Sequence, residues 1–116
     1  MSVEEKISRT GVPKLGLDAL RKLGLEKDYR DWIQGLVWLD KRLDEMKMDC
    51  YSAISNTVYK ALDAGVVIMS KAREAHEKHI VTDPEYDEIE HAIEFPIWET
   101  MGKAAKLCRR SRESVG

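Results

Sequence analysis

A stretch without proline, from Asp28 to Val81, constrains this chain more than any other feature of its sequence. Apolar or small residues recur along the stretch in alternating steps of four and three. One such stripe runs from Trp32 to Thr57, and a second, on a slightly rotated face, runs from Ile54 to His79. This 3.5-residue spacing is typical of a helix that lays one narrow apolar stripe against another helix. We therefore predict helix throughout residues 28–81.

The sequence of this stretch fits either one helix or two. Either one long helix runs through it, or two helices meet at a break near Met48–Tyr51 or near Asp63–Gly65. Gly65 inside a helix costs only ~1 kcal/mol relative to alanine, so it weakens a helix without ending it. We favour one long or gently interrupted helix.

The segment Val81–Glu85 is the clearest helix start in the chain. Asp83 can accept hydrogen bonds from the first free amides, and Pro84 fits the first helical position. A tight turn here makes the following helix antiparallel to the preceding one. We expect Pro96 to kink or break that second helix near Phe95, because proline has no amide hydrogen and its ring collides with the preceding turn.

These elements predict an all-α fold, an elongated antiparallel helical hairpin or bundle. We expect residues 1–14 to be a flexible N-terminal arm, residues 15–111 to be a single all-α domain, and residues 112–116 to be a C-terminal tail. The shorter arm of such a hairpin cannot cover the apolar stripe of a long helix unless that helix breaks and folds back, so a second copy of the chain is expected to cover it. The predicted homodimer interface consists of five stripe residues: Trp32, Leu36, Leu39, Leu43 and Met46.

Composition and cysteine usage favour a cytoplasmic protein. No apolar run approaches the ~18 residues of a membrane span, and the sequence MSVEEKISRT lacks the apolar core of a secretory signal. Cys50 and Cys108 are predicted to be reduced thiols packed as small apolar side chains. The net charge of −2 gives no reason to expect a membrane or nucleic-acid partner. The basic segment from Lys103 to Arg112 could make only phosphate-level contacts.

Three histidines lie within sixteen residues and suggest a metal site as one alternative. The spacings His-x-x-His and Glu-x-x-His each place two potential ligands on one helix face, and four such side chains could bind zinc or a similar ion. The main expectation is that these residues are solvated on a charged helix end and that the protein has no metal or other cofactor. The alternative metal ligands are His76, His79, Glu88 and His91.

A second alternative is enzymatic. Five residues separate Arg73 from His79, which is similar to the Arg-x(4–6)-His motif of HEPN-type ribonucleases. The resemblance implies an all-α domain that pairs its motifs across a dimer and cleaves RNA without metal. It also implies that His79 acts as general base or acid on the ribose 2′-hydroxyl while Arg73 stabilises charge. Glu74 stands where that family has a polar amide or histidine.

No complete catalytic constellation is present in the sequence. There is no glycine-rich phosphate loop, no Gly-x-Ser-x-Gly and no His-Glu-x-x-His. The leading hypothesis is therefore a small non-enzymatic protein that acts by protein–protein contact, as an adaptor, inhibitor or assembly factor. Its predicted partners are a second copy of itself and an unidentified protein.

Overall fold

A computed structural model describes residues 2–11 and 13–115 of the chain, without the side chains of Pro13 and of residues 111–115. Met1 and Val12 of the predicted arm and Gly116 of the predicted tail lie outside the described residues, so the expectations for them stay predictions. The described part is helical, contains no β-strand and extends over 54 × 24 × 19 Å, so the predicted elongated all-α bundle is confirmed. Its elements in chain order are α1 (Val3–Ser8), α2 (Pro13–Lys22), α3 (Glu26–Asp44), α4 (Cys50–Asn56), a π-helical segment (Thr57–Asp63), α5 (Ala64–Glu77) and α6 (Asp83–Val115).

The proline-free stretch is not one long helix, and our preferred interpretation is wrong. Helix α3 ends at Asp44, and Met46 then takes the left-handed backbone conformation with φ 54°. Asp49 caps α4 by accepting a hydrogen bond from the amide of Ser52 at 2.7 Å. The alternative of a break near Met48–Tyr51 is confirmed.

The π-helical segment joins α4 to α5 without a turn. Four residues spaced four apart are buried from α4 through the π-helical segment to α5. In a regular α-helix, which has 3.6 residues per turn, residues with this spacing would drift around the helix and would not all face the same side. The wider turn of a π-helix compensates for this drift. The intervening Ile54 and Val58 face outward and are about half exposed. The buried residues are Ala53, Thr57, Ala61 and Gly65.

The N-terminal segment differs from the flexible arm expected for residues 1–14. Residues 3–8 form α1, whose Lys6 and Ile7 are buried. The Lys6 Nζ donates hydrogen bonds to the carboxylate of Asp40 on α3 and to Oε1 of Glu99 on α6, the latter at 2.9 Å. The hydroxyl of Thr100 donates to Asp40 Oδ1 at 3.0 Å. Because buried charges need such partners, this buried cluster fixes α1 against α3 and α6. At the other end, α6 continues to Val115 through most of the predicted C-terminal tail.

Helix α6 begins within the predicted segment Val81–Glu85, but at Asp83 rather than at Pro84, and its cap is different. The Thr82 hydroxyl accepts from the Glu85 amide at 3.3 Å, and Glu85 Oε1 accepts from the Thr82 amide at 2.9 Å. This reciprocal pair is a capping box, so the role predicted for Asp83 is wrong. The antiparallel α5–α6 hairpin is confirmed, because Gly65 lies near Ile97 while the later residues of α5 lie near the start of α6.

Pro96 lies inside α6, and the helix continues through it, so the chain does not break near Phe95. Proline cannot donate to the carbonyl four residues earlier, which belongs to Ala92. The hydroxyl of Tyr29 on α3 donates to that carbonyl at 3.0 Å instead. Burial raises the pKa of Tyr29, which keeps this hydroxyl protonated as a donor.

The two cysteines are not free thiols, and that prediction is wrong. Cys50 at the start of α4 and Cys108 in the second half of α6 form a disulfide, with Cα atoms 4.8 Å apart. The antiparallel packing of α4 on α6 brings together two cysteines that lie 58 residues apart in sequence.

Candidate interaction surface

The five residues predicted to form the dimer interface do not share an exposed surface. Trp32, Leu36, Leu39 and Leu43 are only 6%, 0%, 0% and 3% exposed, whereas Met46 is 48% exposed. The first four belong to the core of this chain, because the α4–α5 segment and α6 fold back onto α3. The prediction that the stripe stays uncovered within one chain is therefore wrong, and it no longer supports a dimer through these residues.

Trp32 shows how closely the returning segment covers the stripe. Its indole Nε1 donates to the backbone carbonyl of Lys60 in the π-helical segment at 2.8 Å. A side chain at Gly65 would place its Cβ 3.1 Å from both Trp32 Cζ2 and Ile97 Cδ1. The absence of that side chain lets α5 approach α3 and α6 at their crossing, so Trp32 anchors the core.

A different apolar surface is exposed on the outer side of the α4–α5 segment. We call it the outer stripe and define it as Tyr51, Tyr59, Val66 and Val67, which are 82%, 72%, 57% and 54% exposed. Residues 50–59 and 64–70 contain no charged residue, although 34% of the chain is charged. Exposed aromatic and aliphatic side chains on a helix face with few charged residues of its own are typical of a contact surface rather than of a solvated helix face.

A groove lies beside the outer stripe, between the α4–π segment and α6. We call it the α4–α6 groove; its volume is about 410 Å³. Its floor includes Thr57, Ala104 and Cys108, which are buried, and Ile54 and Met101 at its rim are about half exposed. The Thr57 hydroxyl donates to the Ala53 carbonyl at 2.7 Å. The lining is therefore apolar except for one charged side chain, that of Arg109.

The four alternative metal ligands are not brought together. His76 Nε2 lies 2.6 Å from Asp83 Oδ1, and the His76 ring stacks on Tyr86 with centroids 4.5 Å apart. Within residues 2–11 and 13–115, no group of three or more histidine, cysteine, aspartate or glutamate side chains is arranged to hold a metal ion. The structure thus gives no support to a site made of His76, His79, Glu88 and His91.

Arg73 and His79 lie on the exposed side of α5 and at its end. The pKa of the Arg73 guanidinium is raised, mainly by its hydrogen bond with Tyr86. His79 takes the left-handed conformation, with φ 60°, where α5 ends. The side chains of both residues are exposed, and RNA cleavage by this pair stays a prediction.

No protein-family model, curated protein or solved structure matches this chain. No described helix combines the length and hydropathy that a membrane crossing requires.

Sequence reasoning missed both the outer stripe and the α4–α6 groove. A signal for the stripe was present, since the twenty-one residues from Cys50 to Ser70 include only two charged residues, Lys60 and Asp63. The groove had a weaker signal, the pair Ala104-Ala105, whose small side chains leave space beside α4. The helical period indicated which residues share a face, but not which face the rest of the chain covers.

Proposed function

We propose that this chain is a small non-enzymatic protein that acts by protein–protein contact and forms a homodimer through the outer stripe. The exposed apolar surface formed by the outer stripe, in a part of the chain with few charges, carries the proposal. Tyrosine is enriched at the energetically dominant positions of interfaces, and Tyr51 and Tyr59 are the most exposed large side chains of the stripe.

Between Cys50 and Ser70 the two charged residues have opposite signs, so two antiparallel copies of this chain can pair them across the contact. Lys60 and Asp63 lie symmetrically about the point between residues 61 and 62. When two copies pack antiparallel about a two-fold axis at that point, Lys60 of each copy faces Asp63 of the other. Most soluble oligomers use such a self-complementary contact, and opposite charges across it fix the register.

Light scattering on size-exclusion fractions at ~100 μM tests the proposal, since a weak dimer with a micromolar dissociation constant is populated there. We expect the wild-type protein to elute as a dimer and Tyr59→Glu to elute as a monomer, because the interface would bury an unpaired carboxylate. Gln34→Glu, which adds the same charge at an exposed position of α3, is the matched control and should stay dimeric.

A charge exchange tests the register separately. Asp63→Lys should weaken the dimer because like charges would face each other, and Lys60→Asp combined with Asp63→Lys should restore it. A monomeric wild-type protein, or equal effects of Tyr59→Glu and Gln34→Glu on the dimer, would contradict the proposal.

The further roles of adaptor, inhibitor or assembly factor require an unidentified protein partner and stay predictions. The cytoplasmic location also stays a prediction. The disulfide removes the argument from reduced thiols, since disulfides persist in oxidising compartments and are rare in the reducing cytosol. Alkylation of protein trapped directly from its host cells would decide the location: blocked cysteines indicate an oxidising compartment, and two alkylated cysteines indicate the cytoplasm.

The ribonuclease alternative has its own experiment. Purified protein incubated with mixed RNA in EDTA should leave the RNA intact under the proposal above. Cleavage that is lost in His79→Ala and kept in His91→Ala, a control with a second exposed histidine, would replace the proposal with the enzymatic function.

A further inference from the structure

We infer that the α4–α6 groove binds a free amphipathic carboxylate, with its apolar tail between α4 and α6 and its carboxylate on Arg109. The two walls of the groove are apolar along their length. Ile54, Val58 and Leu62 line one side, and Met101 and Ala105 line the other. Sites for small molecules are usually concave, mostly apolar and provided with a few polar groups that orient the ligand.

The volume of the groove fits a ligand of moderate size. A cavity of ~150 Å³ accommodates benzene, so by proportion a volume of 410 Å³ accommodates about 16 carbon atoms. A saturated carboxylate of about this size would cover the exposed parts of Ile54, Val58 and Met101, which are 51%, 46% and 45% exposed. Burial of this apolar surface supplies the favourable free energy of binding.

Arg109 determines the charge of the ligand. It lines the groove next to Cys108, and it forms no ion pair with any carboxylate of the described side chains. Asp49, the acidic residue nearest to the disulfide in sequence, already accepts hydrogen bonds from the amide and hydroxyl of Ser52. A carboxylate is therefore the head group that this end of the groove favours.

This ligand site is independent of the proposed dimer contact. None of the four residues of the outer stripe lines the groove. Tyr59→Glu should therefore remove the dimer and keep ligand binding, so the two proposals can fail separately.

Calorimetric titration with dodecanoate below its micelle concentration tests the inference, with dodecyltrimethylammonium as a probe that has the same tail and the opposite charge. We expect wild-type protein to bind dodecanoate at least 10-fold more tightly than the cation. Arg109→Gln should weaken dodecanoate binding at least 10-fold, because it removes a charge-assisted hydrogen bond. Arg110→Gln is the matched control and should bind like the wild type.

A second variant tests the position of the tail. Ala105 is exposed at the groove, so Ala105→Leu can fold normally while its larger side chain fills the space. Dodecanoate binding should fall in this variant, and amide chemical shifts of residues 104 and 62 should move only in proteins that bind. Absence of binding below the micelle concentration, equal losses in Arg109→Gln and Arg110→Gln, or unchanged affinity in a folded Ala105→Leu would each overturn the inference.

Discussion

Removal of the disulfide by Cys50→Ala combined with Cys108→Ala should lower the stability of this fold substantially. The bridge joins residues 58 apart, and the loss of loop-closure entropy in the unfolded chain corresponds to about 4 kcal/mol for a loop of this length. Unfolding entropy is ~2.1 cal/mol/K per residue, so for a chain of 116 residues this free energy corresponds to a fall in melting temperature of about 16 °C. Alanine avoids a buried hydroxyl at position 108, where the cysteine is 6% exposed.

Urea denaturation followed by circular dichroism measures the effect. The urea dependence of the unfolding free energy should be steeper in the double variant, because an uncrosslinked unfolded chain exposes more surface. Wild-type protein in reducing agent should behave like the double variant, and the double variant should not respond to reducing agent. Equal denaturation midpoints for oxidised and reduced wild-type protein, or two titratable thiols in protein purified without reductant, would refute the reasoning.

Further variants test separate parts of the fold by the same denaturation measurement. Gly35→Ala should stabilise by about 0.5–1 kcal/mol, because nothing lies within 4 Å of the new Cβ. Gly65→Ala should give no gain, because overpacking against Trp32 and Ile97 costs ~1–3 kcal/mol. Met46→Gly should stabilise by ~1 kcal/mol by relieving the left-handed conformation. Lys6→Met should destabilise by about 3 kcal/mol, because it leaves the buried carboxylate of Asp40 without its nearest cation, whereas Glu99 keeps Arg9. The hydrogen bond from the Ser52 amide lowers the pKa of Asp49, so its stabilisation is present at neutral pH and is lost as the pH falls through ~4 and below. The stability of Asp49→Asn should therefore fall less steeply with acid, and an unchanged acid limb would contradict the role of the cap.

The helical class and the α5–α6 hairpin could be predicted from sequence, but the course of residues 28–81 could not. Apolar spacing continues across the break after α3 because both α3 and the α4–α5 segment contribute to the same core. A periodic pattern therefore does not distinguish one helix from two helices that bury neighbouring stripes against each other. A left-handed residue that follows a helix is usually glycine, whereas Met46 takes this conformation after α3 ends at Asp44. Asp49 is the cap of α4, and aspartate is a common cap residue, but it does not by itself distinguish a helix start from an exposed position on a longer helix.

Contacts between distant residues were equally inaccessible to pattern analysis. Lys6 is buried only because acidic residues 34 and 93 positions later come together around it, and a lone lysine in a polar segment predicts exposure. The disulfide depends in the same way on the packing of α4 against α6.

The α4–α5 segment reverses the usual distribution of side-chain size, and this reversal connects its sequence to the proposed contact. Its buried positions include Ala53, Ala61 and Gly65, while Tyr51 and Tyr59 face outward. Small buried residues let the backbones of α3, α5 and α6 approach closely, as the 3.1 Å clearances at Gly65 indicate. They also mean that this segment contributes little apolar side-chain volume to the core, while its largest side chains remain in water. Since exposure of several large apolar side chains on one surface disfavours a monomer in solution, the size pattern along this segment supports a surface that a second molecule covers.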